Sequence, residues 1–116
     1  MRLAIVGSRH FKNYDLLRRT VDDYQLSHGP ISVIISGGAD GADSLAESYA
    51  WECNIATIIY PALWSQHGRA AGPIRNSQIA SECTECIAFL SIDSVGTRDT
   101  IVKVKKLGKG LLIIRV

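Results

Sequence analysis

The chain has 116 residues, 47% of them hydrophobic, which predicts one domain with one hydrophobic core over residues 1–116. With 21% charged residues and a formal net charge of +2, it lacks the strongly basic composition of proteins that coat nucleic acid, so a nucleic-acid partner is disfavoured. No apolar run is long enough to span a membrane and no signal-peptide pattern follows Met1, so we expect no membrane partner and a cytoplasmic location.

Three cysteines are too few for a disulfide scaffold and fit the reduced thiols of a cytoplasmic protein. Cys83 and Cys86 have C-x-x-C spacing, but no second pair or nearby histidine completes a zinc set. We therefore predict no metal site, and we expect no bound cofactor.

Five short apolar runs indicate the strands of a parallel sheet. The first four are rich in β-branched residues on both faces, which is typical of strands buried on both sides. The runs are 3–6, 32–35, 56–60, 87–90 and 111–114.

The segment between the first two runs has the periodicity of a helix. Leu17, Val21 and Tyr24 recur at helical spacing, Asn13 is placed as the N-cap, and Gly29 with the proline after it predicts the end. The two strands and this helix form one βαβ unit.

Three more helices are predicted further along the chain. An apolar stripe covers 42–53, Pro73 suits the first turn of a helix that runs to Glu82, and 97–107 forms the last helix, closed by Gly108. The segment 64–72, which contains two glycines, is predicted to be a long loop.

This alternation of strands and helices predicts an α/β fold. We expect a Rossmann-like three-layer sandwich with a five-stranded, mostly parallel sheet in the order 3-2-1-4-5, joined by right-handed crossovers. The switch point then lies between strands 1 and 4, and ligands of such sheets bind beyond the carboxyl ends of the strands.

Glycine-rich loops follow three of the predicted strands and should open at that same edge. Glycine lets backbone N–H groups approach a ligand, and each following helix offers the positive end of its dipole, so such loops suit phosphate. Asp40 and Asp43 are also placed as helix N-cap and N3, and Ser8 and Thr97 can equally serve as local turn and cap residues. The candidate ligand-binding residues are Gly7, Ser8, Arg9, Ser36, Gly37, Gly38, Ala39, Asp40, Gly41, Asp43, Gly96 and Thr97.

A second group of candidates lies just before the third helix. Trp64 can stack on a base, Arg69 and Arg75 can bind phosphate, and Asn76 can contact a polar edge, with Gly72 between them. Equally, Trp64 can be a core residue and Arg75 a member of a surface pair.

Taken in order, these motifs resemble the YspA-like, YpsA-related branch of the SLOG superfamily, whose relatives include the LOG nucleotide hydrolases and the DprA/Smf proteins. The resemblance covers nearly the whole chain. It implies a Rossmann-like fold and a nucleotide-derived ligand held by the glycine loops and the Arg-Asn segment, with members proposed as sensors in stress and phage-conflict systems. The motifs are Gly7-Ser-Arg9, Ser36-Gly-Gly-Ala-Asp-Gly-Ala-Asp43, Pro61-Ala62 with Trp64, Gly68-Arg-Ala-Ala-Gly-Pro-Ile-Arg-Asn76, Ile87-Ala-Phe89, and Gly96-Thr97 with Asp99.

Two departures from the family pattern bear on activity. Leu63 stands where the family usually has an acidic residue, which implies one polar contact fewer. The LOG enzymes carry a Pro-Gly-Gly-x-Gly-Thr-x-x-Glu motif, whereas this loop is one residue longer and its nearest carboxylate, Glu47, is out of register.

We therefore expect a binding protein that senses or sequesters a nucleotide or nucleotide-derived signalling molecule. A homodimer or larger homo-oligomer is compatible with this function. The alternative is an enzyme, a nucleoside-phosphate phosphoribohydrolase or nucleotide hydrolase, with Asp43 or Glu47 as the acid-base carboxylate. A DprA-like role on single-stranded DNA is disfavoured because the net charge is low.

Overall fold

The computed structural model describes residues 1–116 and contains one five-stranded sheet in which every strand pair is parallel. The observed order, β3-β2-β1-β4-β5, confirms the predicted Rossmann-like fold and its switch point between β1 and β4. The strands are β1 (Arg2–Gly7), β2 (Val33–Ser36), β3 (Ala56–Ile59), β4 (Glu85–Leu90) and β5 (Gly110–Arg115).

Helices connect successive strands, as parallel pairing requires. None of them is both long enough and apolar enough to cross a membrane. The helices are α1 (Tyr14–His28), α2 (Ala42–Glu52), α3 (Trp64–His67), α4 (Ala71–Glu82) and α5 (Val95–Lys106), with a 3-10 turn (Gly68–Ala70) between α3 and α4.

The predicted limits of α1 are confirmed. The Asn13 side chain accepts a hydrogen bond from the Leu16 N–H at 3.0 Å, so it caps the first turn. Gly29 ends the helix at a φ of 98°, and its N–H donates to the Gln25 carbonyl at 2.9 Å.

Two apolar layers hold the helices against the sheet, because successive strand residues point to opposite faces. Leu3 and Ile5 pack with α1 and α2, whereas Ala4 and Val6 pack with α4 and α5. The result is the predicted three-layer sandwich, with α1 and α5 on opposite faces.

The edge strand β3 differs from the expectation of a buried strand. Its Ala56, Thr57 and Ile59 are exposed, although the sequence 56–60 has the β-branched character of a core strand. The physical reason is the position of α2, which packs mainly on β1 and β2 and covers β3 less.

The predicted loop 64–72 is also wrong, because this segment is helical through α3, the 3-10 turn and the start of α4. Pro73 is the third residue of α4, not its first, and is tolerated there because the first-turn N–H groups of a helix lack intrahelical partners.

Candidate functional site

The candidate site lies at the carboxyl edge of the sheet, where the loops after β1, β2 and β4 open. The Ser8 N–H donates to the Phe89 carbonyl at 3.0 Å, which fixes the β1–α1 loop against the end of β4. The Ala42 N–H donates to the Ser8 carbonyl at 3.1 Å, so the start of α2 is tied to the same loop.

Gly41 makes this close approach possible. Its φ is 76°, and a Cβ atom there would collide with the backbone of Ser8 and Arg9. The exposed Arg9 is therefore held beside the first turn of α2, where its guanidinium is free to reach a ligand.

Residues 36–43, which we call the Asp43 loop, are held by hydrogen bonds from their own side chains. Ser36 Oγ accepts the Gly38 N–H at 3.2 Å and donates to Glu47 Oε2 at 3.2 Å. The Asp43 carboxylate accepts the Ala39 N–H at 3.2 Å. The loop thus gathers two carboxylates and a hydroxyl, and two of its backbone N–H groups already have acceptors.

The predicted capping roles in this loop need correction. Helix α2 has Gly41 as its N-cap residue, so Asp40 is not the cap and lies exposed ahead of the helix. Asp43 is the second helical residue, not the predicted N3, and its side chain turns back to Ala39. The N-cap is therefore one residue later than predicted, at the point where the Gly41 backbone lies against the β1–α1 loop.

The Asp43 carboxyl is buried, with 7% of the residue exposed. Burial raises its pKa from 3.8 to about 6, although the Ala39 N–H and the Arg75 guanidinium oppose that rise. A carboxyl group whose pKa is raised in this way can donate or accept a proton near neutral pH.

Arg75 connects α4 to the Asp43 loop. Its Nη1 donates to the Gly37 carbonyl at 2.8 Å, and its Nε donates to Asn76 Oδ1 at 3.0 Å. A Cβ atom on Gly37 would collide with this guanidinium and would lie 2.8 Å from an Asp43 carboxylate oxygen. The lack of a side chain at Gly37 therefore brings Arg75 and Asp43 together.

Asn76 continues the connection to α5. Its Nδ2 donates to Asp99 Oδ2 at 3.0 Å and to the Gly96 carbonyl at 3.2 Å. Lys103 pairs with the same Asp99 oxygen at 2.8 Å. Partial burial raises the pKa of Asp99, but the bonds from Lys103 and Asn76 outweigh it and hold the pKa below its usual range.

The predicted aromatic residue, Trp64, begins α3 and is 61% exposed, so it is not a core residue. Its ring edge lies 3.5 Å from where a Cβ atom on Gly72 would stand, so the indole covers the first turn of α4. Arg69 is exposed on the 3-10 turn between them. Both side chains are accessible to a ligand.

Thr97 lies in the first turn of α5, buried at 7% exposure, and the exposed Gly96 precedes it. Since α5 begins at Val95 with Ser94 at the N-cap, Thr97 does not cap this helix. Ser94 Oγ accepts the Ser91 N–H at 3.1 Å, which closes the turn after β4.

The structure brings most predicted residues to one edge but gives several of them a bonded role. Arg75 and Asn76 bridge loops, whereas Arg9, Trp64 and Arg69 are exposed around them. Asp99, the partner of Asn76, was not among the predicted site residues. The signal that could have added it is the motif Gly96-Thr97 with Asp99.

These features define the class of protein: a Rossmann-like domain with a glycine-rich loop after its second strand. Residues 1–67 match the sequence model of YAcAr, described as the YspA, cpYpsA-related SLOG family. The chain is also 33% identical over 114 residues to Gene 61 protein of Mycobacterium phage D29, covering 92% of this chain and 90% of that protein. The chain belongs to the YspA, cpYpsA-related SLOG family.

Solved structures of DNA processing protein A (DprA) share the fold. The X-ray structure from Streptococcus pneumoniae superposes with a TM-score of 0.77 at 21% identity, covering 97% of this chain and 49% of that one. The Helicobacter pylori protein gives a TM-score of 0.71 at 19% identity, covering 97% of this chain and 64% of that one. The chain thus spans about half to two thirds of the length of these DprA chains.

The expectation that disfavoured a nucleic-acid partner is wrong. DprA from Helicobacter pylori has this fold and binds single-stranded DNA. The expectation used the net charge of +2 for the whole chain, but binding depends on where the charges lie, and exposed cations such as Arg9 and Arg69 border the glycine-rich edge.

Proposed function

We propose that this protein binds a nucleotide or nucleotide-derived molecule at the carboxyl edge of its sheet and acts by sensing or sequestering it. The observation that carries the proposal is the Asp43 loop, where a buried carboxylate and the Ser36 hydroxyl are held in place at the ligand-binding edge of a Rossmann-like sheet.

The bonds of this loop indicate which part of a nucleotide it suits. The N–H groups of Gly38 and Ala39 already bond to Ser36 and Asp43, so they are not free to bind a phosphate. Carboxylates and hydroxyls are suited to ribose hydroxyls, which donate and accept hydrogen bonds. In the proposed complex the ribose therefore faces Asp43, which the fully buried Ser36 supports from within the loop, and the exposed Trp64 supplies a surface for the base.

A ligand screen tests the proposal. Purified protein is heated with nucleosides, mononucleotides, cyclic nucleotides, NAD and ADP-ribose, and bound compounds are identified by mass spectrometry. We expect at least one nucleotide to raise the melting temperature, and Asp43→Asn to lose at least half of the shift. The exposed, distant Asp23→Asn is the matched control and should keep the full shift. No shift with any compound in the wild type contradicts the proposal.

A second candidate function is hydrolysis of the N-glycosidic bond of a nucleotide. It is favoured by the Asp43 pKa of about 6 and by Glu47, which accepts a hydrogen bond from Ser36 beside it. The same screen distinguishes the two functions, because hydrolysis releases free base and ribose phosphate whereas a sensor returns its ligand intact. Asp43→Asn should abolish product formation if Asp43 is the general acid.

Binding of single-stranded DNA is a third candidate, favoured by the fold shared with DprA from Helicobacter pylori. Fluorescence anisotropy with a labelled oligonucleotide tests it, with salt varied to count phosphate contacts. Arg9→Gln should weaken binding if the strand crosses the Asp43 loop. An anisotropy that stays flat at low salt excludes this function.

A further inference from the structure

A cleft opens at the same sheet edge, on the side of β4 and β5. Its walls are the β1–α1 loop, the β4–α5 loop and the end of β5, and its volume is about 460 Å³. We call it the basic cleft and define it by Ser8, His10, Lys12, Ser91, Asp93 and Arg115.

The topology of the sheet creates this cleft. Strands β1 and β4 are neighbours, but α1 continues from β1 on one face of the sheet and α5 continues from β4 on the other. The two loops therefore diverge and leave a crevice at the switch point, which is the ordinary ligand position in sheets of this kind.

The charges of the cleft are mostly unpaired. Lys12 and Arg115 are exposed, and the ion pairs of the chain involve other residues. The carboxylate of Asp93 already accepts the Ser91 hydroxyl at 2.7 Å, and this bond is the main reason that its pKa is lowered. Two cations without ion pairs thus line the cleft, together with the Asp93 carboxylate and the chain-terminal residue Val116.

The inner wall of the cleft is rigid and apolar. Phe11 is buried and stacks on Phe89 with 4.8 Å between ring centroids and 14° between ring planes. Above it, the Ser8 oxygen accepts the His10 N–H at 3.1 Å, which leaves the Ser8 hydroxyl hydrogen free to donate to a ligand. A polar rim over an apolar wall is typical of small-molecule sites.

The two halves of the edge are complementary for a nucleotide. A phosphate at the Asp43 loop would lie beside the Asp43 carboxyl and Arg75, which already donates to the Gly37 carbonyl, whereas a phosphate in the cleft would meet Lys12 and Arg115, which make no ion pair. Ser8 lines the cleft, and its carbonyl also accepts the first N–H of α2, so the cleft and the start of α2 adjoin at Ser8.

We propose that the basic cleft binds the phosphate group of a nucleotide whose ribose lies at the Asp43 loop, an inference that rests on the proposed function. It assigns the phosphate to Lys12, Arg115 and Ser8, away from the Asp43 loop.

Calorimetric titrations of matched nucleosides, nucleoside monophosphates and diphosphates test this assignment for all four ribonucleosides. In the wild type, we expect the first phosphate to tighten binding at least tenfold, and Lys12→Gln/Arg115→Gln to remove most of that gain. Nucleoside binding should stay within about twofold, because the variant leaves the Asp43 loop intact. Lys105→Gln/Lys106→Gln, on the exposed end of α5, makes the same change in net charge and should keep the phosphate gain.

The other outcomes separate the two proposals. If nucleotides bind but phosphate adds no affinity, or the cleft variant keeps the gain, the cleft assignment is overturned and the proposed function stands. If no nucleoside or nucleotide binds, the proposed function fails. The cleft assignment is then tested separately, by titrating inorganic pyrophosphate into the protein and following its amide NMR signals. Shifts at His10 and Ser91 that vanish in the cleft variant support a phosphate site, and the absence of shifts overturns it.

Discussion

On the β2 side of the sheet edge, Asp43, Arg75 and Asn76 are bonded to loops from other elements, whereas on the β5 side Lys12 and Arg115 border a cleft without ion pairs. The first arrangement fixes the loops before any ligand arrives. The second leaves positive charge for a ligand to neutralise. The comparison teaches that a glycine-rich loop can bond part of its backbone with its own side chains, here the N–H groups of Gly38 and Ala39.

The largest effect on stability is expected at Gly41, where the Asp43 loop meets the β1–α1 loop. Gly41→Ala places a methyl group against the backbone of Ser8 and Arg9 at a φ of 76°, and should lower the free energy of unfolding by about 3 kcal/mol or more. Gly108→Ala is the matched control, since Gly108 has a φ of 68° but no atom within 4 Å of the added methyl, and should cost about 1 kcal/mol. Urea denaturation measures both losses of unfolding free energy. If the two variants lose equal amounts, backbone strain alone explains the effect at Gly41, and the contact to the β1–α1 loop adds nothing.

The next effect is a dependence of stability on pH. The folded-state pKa of Asp43, about 6, lies above its ordinary value of 3.8, so the folded protein holds the proton more tightly than the unfolded chain does. This contribution to stability is therefore complete below about pH 4 and is lost as the pH rises through 6, by about 3 kcal/mol. Between pH 4 and 7, the free energy of unfolding of Asp43→Asn should therefore rise by about this amount relative to that of the wild type. A pH-independent difference would contradict the buried, protonated carboxyl.

A smaller loss is expected when the connection between α4 and α5 is removed. Asn76→Ala leaves the Gly96 carbonyl and the Asp99 carboxylate without this donor and should cost about 2 kcal/mol of unfolding free energy. The adjacent Ser77→Ala is a control for the helix, because its exposed hydroxyl bonds only back to Pro73 and should cost no more than about 0.5 kcal/mol. Similar values for the two variants would mean that the Asn76 bonds do not stabilise the edge.

The sequence predicted the sheet order because its buried β-branched runs alternate with helical stripes, and the predicted glycine-rich loops do lie together at one edge of the sheet. It failed for 64–72, which was predicted to be a loop ahead of a helix with Pro73 in its first turn. In the structure Pro73 does lie in the first turn of α4, but helical structure begins earlier, at Trp64, and Gly72 makes room for the Trp64 ring. That packing is a contact that spacing alone does not show.

The bonded roles of the site residues could not be predicted for a related reason. The Gly37 carbonyl, which accepts a hydrogen bond from Arg75, is close to it in the fold but 38 residues away in the chain, and the cleft joins residues as far apart as Lys12 and Arg115. Sequence periodicity identifies which element carries a side chain. It placed the switch point between β1 and β4, but it does not identify which side chains line the cleft there.

The smallest effect on stability is expected in the basic cleft, and it gives the sharpest test of the comparison. Since Lys12 and Arg115 make no ion pair, Lys12→Gln/Arg115→Gln should change the free energy of unfolding by no more than about 0.5 kcal/mol without ligand. Lys103→Gln, which loses the bonds to Asp99 and to the Pro73 carbonyl, should cost about 1 kcal/mol. Urea denaturation of the three proteins measures both values. If the cleft variant is instead the less stable of the two, its cations hold the fold together, and the contrast between a bonded half and a free half of the edge fails.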